Sequence, residues 1–417
     1  MKVLVVNHSL PAENSNGGPM TVWAIMNHVV KNGHEVELAV FKKEGDPFFT
    51  DDRIYEIEAL GVKIHILDFK KVNRQDVLRS RFYNRWIPKG ESVFPEMRLS
   101  GAMGEIVSSV KPDVIFAYHW DSLSTLMNVL DVPVLGAVGD PWSAPLIRRW
   151  KTESFWKKVI RPMILVRRFL YTSACQYWMK YLLRFCSVAG TFQADETKKF
   201  ARSKGLSMLR YYRTPLVDPF DAGWKDDRQV AGKSKILIGP SNLQATSTKA
   251  GLIYFAEEIY PHLIRMCGDE DFEIRVVGEG DPPDALKAIL SDERIRICGR
   301  IEPPDDEFLN ATAQLVPTPF VLGIRVRIVT AFSFGCCVIT RETERKNIPE
   351  LKDGENAFVG TSAKAMAGHI ARVLRDKGLA KSVGANGRKA YEQFFSLNKA
   401  AEAVLQDLNE MYHVAGD

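Results

Sequence analysis

The run KVLVVN (2–7), a polar loop closing on Gly17 and Gly18, and MTVWAIMNHVVKNGHEVELAV (20–40) make one strand–helix–strand unit, and such a unit starts again at residue 235. This alternation constrains the fold more than any other feature. A short, continuous apolar run suits a strand buried on both faces of a parallel sheet. Val22, Ile25, Met26, Val29 and Val30 follow helical spacing, Gly33 stops that helix, and Val36 to Val40 form the next strand. Further strands are expected at 62–67, 112–119, 132–138 and 187–192. After the stretch 213–235, which loses periodicity and gains Pro, Gly and charge, runs at 235–242, 272–280, 295–301, 313–320 and 336–341 repeat the pattern, with a helix near 249–267 and a largely helical close over 379–413. The expected fold is α/β: two doubly wound, Rossmann-like domains facing across a cleft. The spans are 1–215 and 216–394, with 395–417 a last helix packing back on the first domain. A chain of 417 residues is comfortable for two such cores.

In open α/β sheets, ligands bind beyond the carboxyl ends of the strands. The residues at those ends are Asn7 to Gly18, His119, Asp140, Pro240 to Lys249 (Asn242 among them), Gly278 to Gly280 and Thr318 to Arg327. Gly17 and Gly18 precede a helix, where backbone can approach an anion closely. A GxGxxG pattern is absent, which disfavours a dinucleotide site. Gly278 and Gly280 end another strand in VVGEGD. In GIRVRIVTAFSFGCCVIT (323–340), the Gly323 turn leads into Arg325 and Arg327 at a helix start, a good clamp for a diphosphate. Lys249 is a third candidate cation. Where such sites often place a carboxylate for a sugar hydroxyl, this one has Thr330. His119 and Asp140 follow strands directly, so both are candidates for the cleft. Plain turns, solvated helix faces and a structural histidine are the alternative readings of the same residues.

Composition narrows the function classes. The chain is 46% hydrophobic and 26% charged with a net charge of +5, which is globular and gives no sign of a nucleic-acid binder. Its six cysteines show no CxxC pair, arguing for buried reduced thiols in a reducing compartment and against a structural zinc. No Ser-His-Asp order, HExxH or P-loop pattern occurs, the N-terminus reads as a strand and not a signal peptide, and no stretch of about 18 apolar residues spans a membrane. Residues 146–186 hold ten Lys and Arg against one acid, Glu153, interleaved with aromatics, and 70–89 has the same character. Such stretches fit docking on an anionic membrane surface, or two helices packed on the sheet with a basic rim.

Taken in order, the GG–helix–NGHEVEL start and the blocks IRVVGEG, IRICGRIEPPDDEFLNATAQLVPTPF, GIRVRIVTAFSFGCCVIT and IPELKDGENAFVG resemble the GT-B glycosyltransferases. The resemblance is to the large retaining family that includes many lipopolysaccharide and O-antigen transferases, and it is weakest over 70–110 and 145–185. It implies a nucleotide-sugar donor, UDP-, dTDP- or GDP-linked, held by the C-terminal domain, and a glycan or lipid-linked acceptor held by the N-terminal one. It also implies that Gly18 approaches the sugar or diphosphate, that Arg325 and the Gly323 backbone neutralise the diphosphate, and that His119 bonds the donor. Lys249 matches the lysine of the first donor-domain loop, although the surrounding pattern is altered to TKAG. No metal or other cofactor is obligatory in that scheme, because cations and a helix dipole stabilise the leaving group.

One departure stands out. The two glutamates of the family's EX7E motif align with Leu322 and Thr330. Threonine makes at most one neutral bond where a carboxylate would hold both ribose hydroxyls. A deoxyribose donor, a differently held donor such as a CMP-sugar, or a non-catalytic partner of another transferase would each accommodate the change. The expectation is a cytoplasmic, metal-independent hexosyltransferase, peripheral on the inner face of the cell membrane, acting in surface polysaccharide or glycolipid synthesis. A transferase for a soluble acceptor is the other enzyme reading, and an epimerase of the same architecture lacks its acidic pairs here.

Overall fold

The computed structural model describes residues 1–13, 17–43, 46, 49–69, 93–129, 131–139, 141, 162–192, 198–199, 202, 209–220, 223–224, 232–320, 323 and 325–416. The expectations for 70–89, Asp140, 146–161 and Leu322 lie outside these residues. The chain divides into two compact units, Met1–Pro215 with Ala400–Asp417, and Leu216–Lys399.

The first unit is built on a parallel sheet of β1 (Lys2–Asn7), β2 (Glu35–Lys43), β3 (Lys63–Phe69), β4 (Val114–Tyr118), β5 (Val134–Val138), β6 (Val188–Thr191) and β7 (Arg210–Tyr211), in the order β3-β2-β1-β4-β5-β6-β7. Register is set by pairs such as Val3↔Val36 and Val3↔Val114. The central strands β4 and β5 are apolar throughout and buried, and Leu4, Val6, Phe41, Ile115 and Trp120 sit in one core. The helix Gly18–Lys31 is buried from Met20 to Val29, broader than the single apolar stripe its spacing implied. Asp407, buried in the last helix, takes the Tyr212 hydroxyl and the Arg210 guanidinium, and Glu402 lies 2.9 Å from His28. These polar contacts tie residues 400–417 into the first unit.

In the second unit the strands are β8 (Ser234–Ile238), β9 (Phe272–Val277), β10 (Ile295–Gly299), β11 (Ala313–Val316), β12 (Cys337–Arg341) and β13 (Phe358–Gly360), all parallel, in the order β10-β9-β8-β11-β12-β13. The helix expected near 249–267 begins earlier, at Thr246, and runs through a π turn at Phe255–Ile259 to Cys267. Ile328, Val329 and Phe332 pin the short helix Val326–Ser333 by full burial, each contributing about 1.5–3 kcal/mol. All six cysteines are free thiols.

Both sheets reverse strand order at one place, between β1 and β4 and between β8 and β11. Such reversals open the crevice where doubly wound sheets take ligands. The loops after β1, β4, β8 and β11 are therefore where chemistry belongs.

Candidate functional site

In the second unit, the loops after β8 and β9 are stitched together by backbone. Ser241 donates to the Val277 carbonyl at 3.2 Å, Leu243 to Glu279 at 2.8 Å, and Gly278 to Gly299 at 2.8 Å. Gly278 has φ 155, and a Cβ there would fall 1.8 Å from the Ser241 carbonyl oxygen, so no other residue fits this crossing. Gly280 packs more loosely, its added Cβ meeting Gln244 at 3.4 Å. Asn242 folds the loop on itself: its Oδ1 accepts from the Gln244 N–H at 2.8 Å, and its Nδ2 donates to Glu279 at 3.3 Å. Exposed Lys249 is tethered to Gln244 Oε1 at 3.3 Å.

Arg327 reaches this same loop. Its guanidinium donates to Thr248 Oγ1 at 3.3 Å and Ser241 Oγ at 3.5 Å, and it forms no ion pair among the described residues. Burial, then the charge of Arg325, pushes its pKa down to about 10. A half-buried cation held only by two hydroxyls at long distance is a ready anion site.

Arg325 is placed differently from the expectation of a ligand-facing clamp. It is 6% exposed, its Nε donates to the fully buried Glu344 at 3.2 Å, and its Nη2 donates to the Phe320 carbonyl at 3.4 Å. Two residues apart at a helix start, the two arginines point to different sides, and here the inner side belongs to Arg325. The Gly323 turn is held from beneath as well, its carbonyl accepting from Asn347 Nδ2 at 2.6 Å. Thr330 spends its hydroxyl proton on the Val326 carbonyl, 3.2 Å away, within its own helix. It can offer a ligand lone pairs only.

In the first unit, Gly17 (φ 69) precedes the helix, and its carbonyl accepts from the Thr21 hydroxyl at 3.0 Å. Gly18 lies against the Tyr118 ring, where an added Cβ would come within 3.0 Å. His119 follows with φ 75, a conformation that non-glycine residues avoid. Its side chain is 31% exposed, and Nδ1 lies 4.0 Å from Asp121 Oδ2. The His8 ring stands 5.2 Å away, centroid to centroid. Burial, then the Lys43 charge, pushes His119 down to about 4, and burial, then the facing His119, pushes His8 to about 3. Both are neutral at physiological pH.

The structure thus brings Asn242, Lys249, Gly278, Gly280 and Arg327 to one edge of the second sheet, and Gly17, Gly18 and His119 to one edge of the first. Arg325 is turned inside the fold, while Gly323 and Thr330 are half-buried. Sequence reasoning passed over Glu344 and Asn347 in the second unit, and Lys43, Glu96 and Asp121 in the first unit, while Ser241, Thr248 and His8 fell within its strand-end ranges without being singled out. No cluster of three or more His, Cys, Asp or Glu placed to hold a metal ion occurs among the described residues. Of the basic aromatic stretch, the described part is the helix Pro162–Arg184, in which Phe169 and Tyr177 are 70% and 62% exposed. No helix among the described residues is long and apolar enough to cross a membrane.

Residues 235–376 match the family described as Glycosyl transferases group 1. No curated protein matches the chain in sequence. Among solved structures, a glycosyltransferase from Rickettsia africae is similar at 13% identity, with 98% of each chain covered and a TM-score of 0.65. Sucrose-phosphate synthase from Thermosynechococcus elongatus is similar at 13% identity, 99% of each chain and a TM-score of 0.64. Anabaena HepE, solved in complex with UDP-glucose, is similar at 13% identity, 98% of this chain and 100% of its own, with a TM-score of 0.61. Together these likenesses establish a two-domain GT-B fold with the group 1 signature in its second unit.

Proposed function

From the GT-B fold and the family match over residues 235–376, we propose that the chain is a glycosyltransferase that moves a hexosyl group from a nucleotide-sugar, with retention of configuration, to a glycan or lipid-linked acceptor in surface polysaccharide or glycolipid synthesis. The observation that carries this reading is Arg327, a half-buried cation without an ion-pair partner among the described residues, seated on Ser241 and Thr248 at the strand reversal of the unit that matches the family. A donor diphosphate supplies the missing anion. Lys249, freed from Gln244, adds a second charge, so the leaving group is stabilised by side-chain cations and needs no metal. The acceptor belongs to the first unit. HepE, with UDP-glucose bound, supports the donor class.

Nucleotide identity is the open term. Thr330, its proton already spent, cannot do for two ribose hydroxyls what a carboxylate does. Deoxyribose loses least at such a position. In isothermal titration with UDP, GDP, dTDP and CMP, dTDP is expected to bind at least as tightly as UDP. The same threonine favours a second reading, a non-catalytic partner that keeps the fold for assembly, and silence with all four nucleotides would establish it against the first.

The described helix Pro162–Arg184 supports a peripheral membrane site on the cytoplasmic side, since Phe169 and Tyr177 are exposed on an element carrying Lys180 and Arg184. Vesicles with anionic lipid should sediment about ten times more protein than neutral vesicles at low ionic strength, and the difference should shrink at about 0.5 M salt. Equal sedimentation with both vesicle types would favour a soluble acceptor. NMR of the product's anomeric proton decides retention against inversion.

A further inference from the structure

His8 Nδ1, Glu96 Oε2, His119 Nδ1 and Asp121 Oδ1 are all buried without a hydrogen-bond partner among the described residues. They come from three separate places: the residue after β1, the 3-10 turn Pro95–Leu99, and the helix His119–Ser124 that follows β4. Lys43, at the end of β2, joins them with Nζ 3.4 Å from Glu96 Oε1. A buried polar group left unpaired costs free energy, and a histidine at φ 75 adds strain. Such costs persist where the surroundings impose one orientation on a side chain.

That orientation has a definite chemical meaning. A neutral imidazole carries one N–H, and which nitrogen bears it is set by the partner of the other. Nδ1 of His119 faces the Asp121 carboxyl at 4.0 Å, a charge contact beyond hydrogen-bond distance. The Nε2 edge lies over Gly139, where a Cβ would come within 3.3 Å, so the glycine keeps that edge uncovered by a side chain. A second cation on either imidazole would face the other ring and the Lys43 ammonium. Among the described residues, the titratable groups facing His119 are His8, Lys43, Glu96, Asp121 and Tyr118.

We propose that Lys43, Glu96 and Asp121 form a positioning network for His119: the Lys43 ammonium, seated on Glu96, disfavours an imidazolium, and Asp121 draws the ring proton to Nδ1, so that Nε2 is presented as a hydrogen-bond acceptor. The group recognised there is a hydroxyl, which has a proton to donate, and not a phosphate or carboxylate, which would call for an imidazolium. The assignment of that hydroxyl to a sugar rests on the proposed transferase reading. The nitrogen assignment itself does not.

The test is histidine side-chain NMR on the full chain labelled with 13C and 15N, His119 being assigned by loss of its signals in His119→Gln. His119 is expected to bear its proton on Nδ1 and to titrate at about 4, the direction set by burial and Lys43. Lys43→Met, at a 38% exposed side chain, should raise the midpoint by about one pH unit or more. Asp121→Ala should move the proton to Nε2. A His119 midpoint near 6.5, an unchanged midpoint in Lys43→Met, or an Nε2–H tautomer in the parent overturns the network. In kinetics, Lys43→Met should shift the acid limb of kcat/KM to higher pH with donor KM unchanged. An unshifted limb overturns the presentation of Nε2 to substrate. A parent with no transferase activity would sink the transferase reading, and the NMR arm would still decide the network.

Discussion

Arg327→Ala should keep the thermal stability of the parent and lose about 100-fold in kcat/KM for the donor, or ~2.7 kcal/mol of transition-state stabilisation. The two halves of this expectation have separate physical grounds. Stability is spared because, among the described residues, the side chain makes two bonds, at 3.3 and 3.5 Å, both to neutral hydroxyls. Set against them is the cost of a half-buried cation with no ion-pair partner among the described residues, and truncation removes the bonds and the cost together. Turnover suffers because a charge-assisted bond to a phosphate oxygen is worth more than a neutral one, and charge grows on that oxygen as the glycosidic bond breaks. Arg327→Lys should fall between, since an ammonium keeps the charge but not the two-pronged geometry. Titration separates phosphate from base: the alanine variant should bind a nucleoside diphosphate more weakly and the bare nucleoside unchanged. Equal affinity for the diphosphate in parent and variant would remove Arg327 from the phosphate site.

How much of this was legible beforehand follows from what each feature depends on. The central parallel strands were readable because burial on both faces makes each one a nearly continuous apolar run, as KVLVVN became β1 and VLGAV became β5. β7 and β13 were not, since two and three residues are too few to form a pattern. Strand ends pointed to Gly278, whose close approach to Ser241 is local. The arginine pair was legible as a pair and ambiguous within it. Residues at i and i+2 on a helix lie about 200° apart, so one faces out when the other faces in. What decides between them is Glu344, which follows Arg325 by 19 residues and arrives through β12 and the turn after it. The network around His119 draws on residues from 8 to 121, and no local spacing could announce it.

Arg325→Ala should behave as the opposite of its neighbour, costing about 3–5 kcal/mol of stability by leaving Glu344 buried without its cation. Glu344 is fully buried, and its Oε2 already lacks a hydrogen-bond partner among the described residues. Even beside Arg325, burial pushes its carboxyl above the ordinary value of 4.5. Without Arg325 the folded-state pKa rises further while the unfolded value stays. The sign follows: below about 4.5 both states hold the proton and the variant's deficit is small, and as pH climbs through the raised folded pKa the folded state must bury an unpaired carboxylate or keep a proton against the gradient. The deficit therefore grows from acid to neutral pH. Urea melts of parent and variant at about pH 4 and pH 7 measure it as a difference, which cancels other groups that titrate in both proteins. Replacing both partners with apolar residues, Arg325→Met with Glu344→Leu, should recover most of the loss, because the cost lies in the orphaned charge and not in the missing bond. A pH-independent deficit under about 1 kcal/mol would mean that Arg325 does not serve to neutralise Glu344, and would return it to the ligand side beside Arg327.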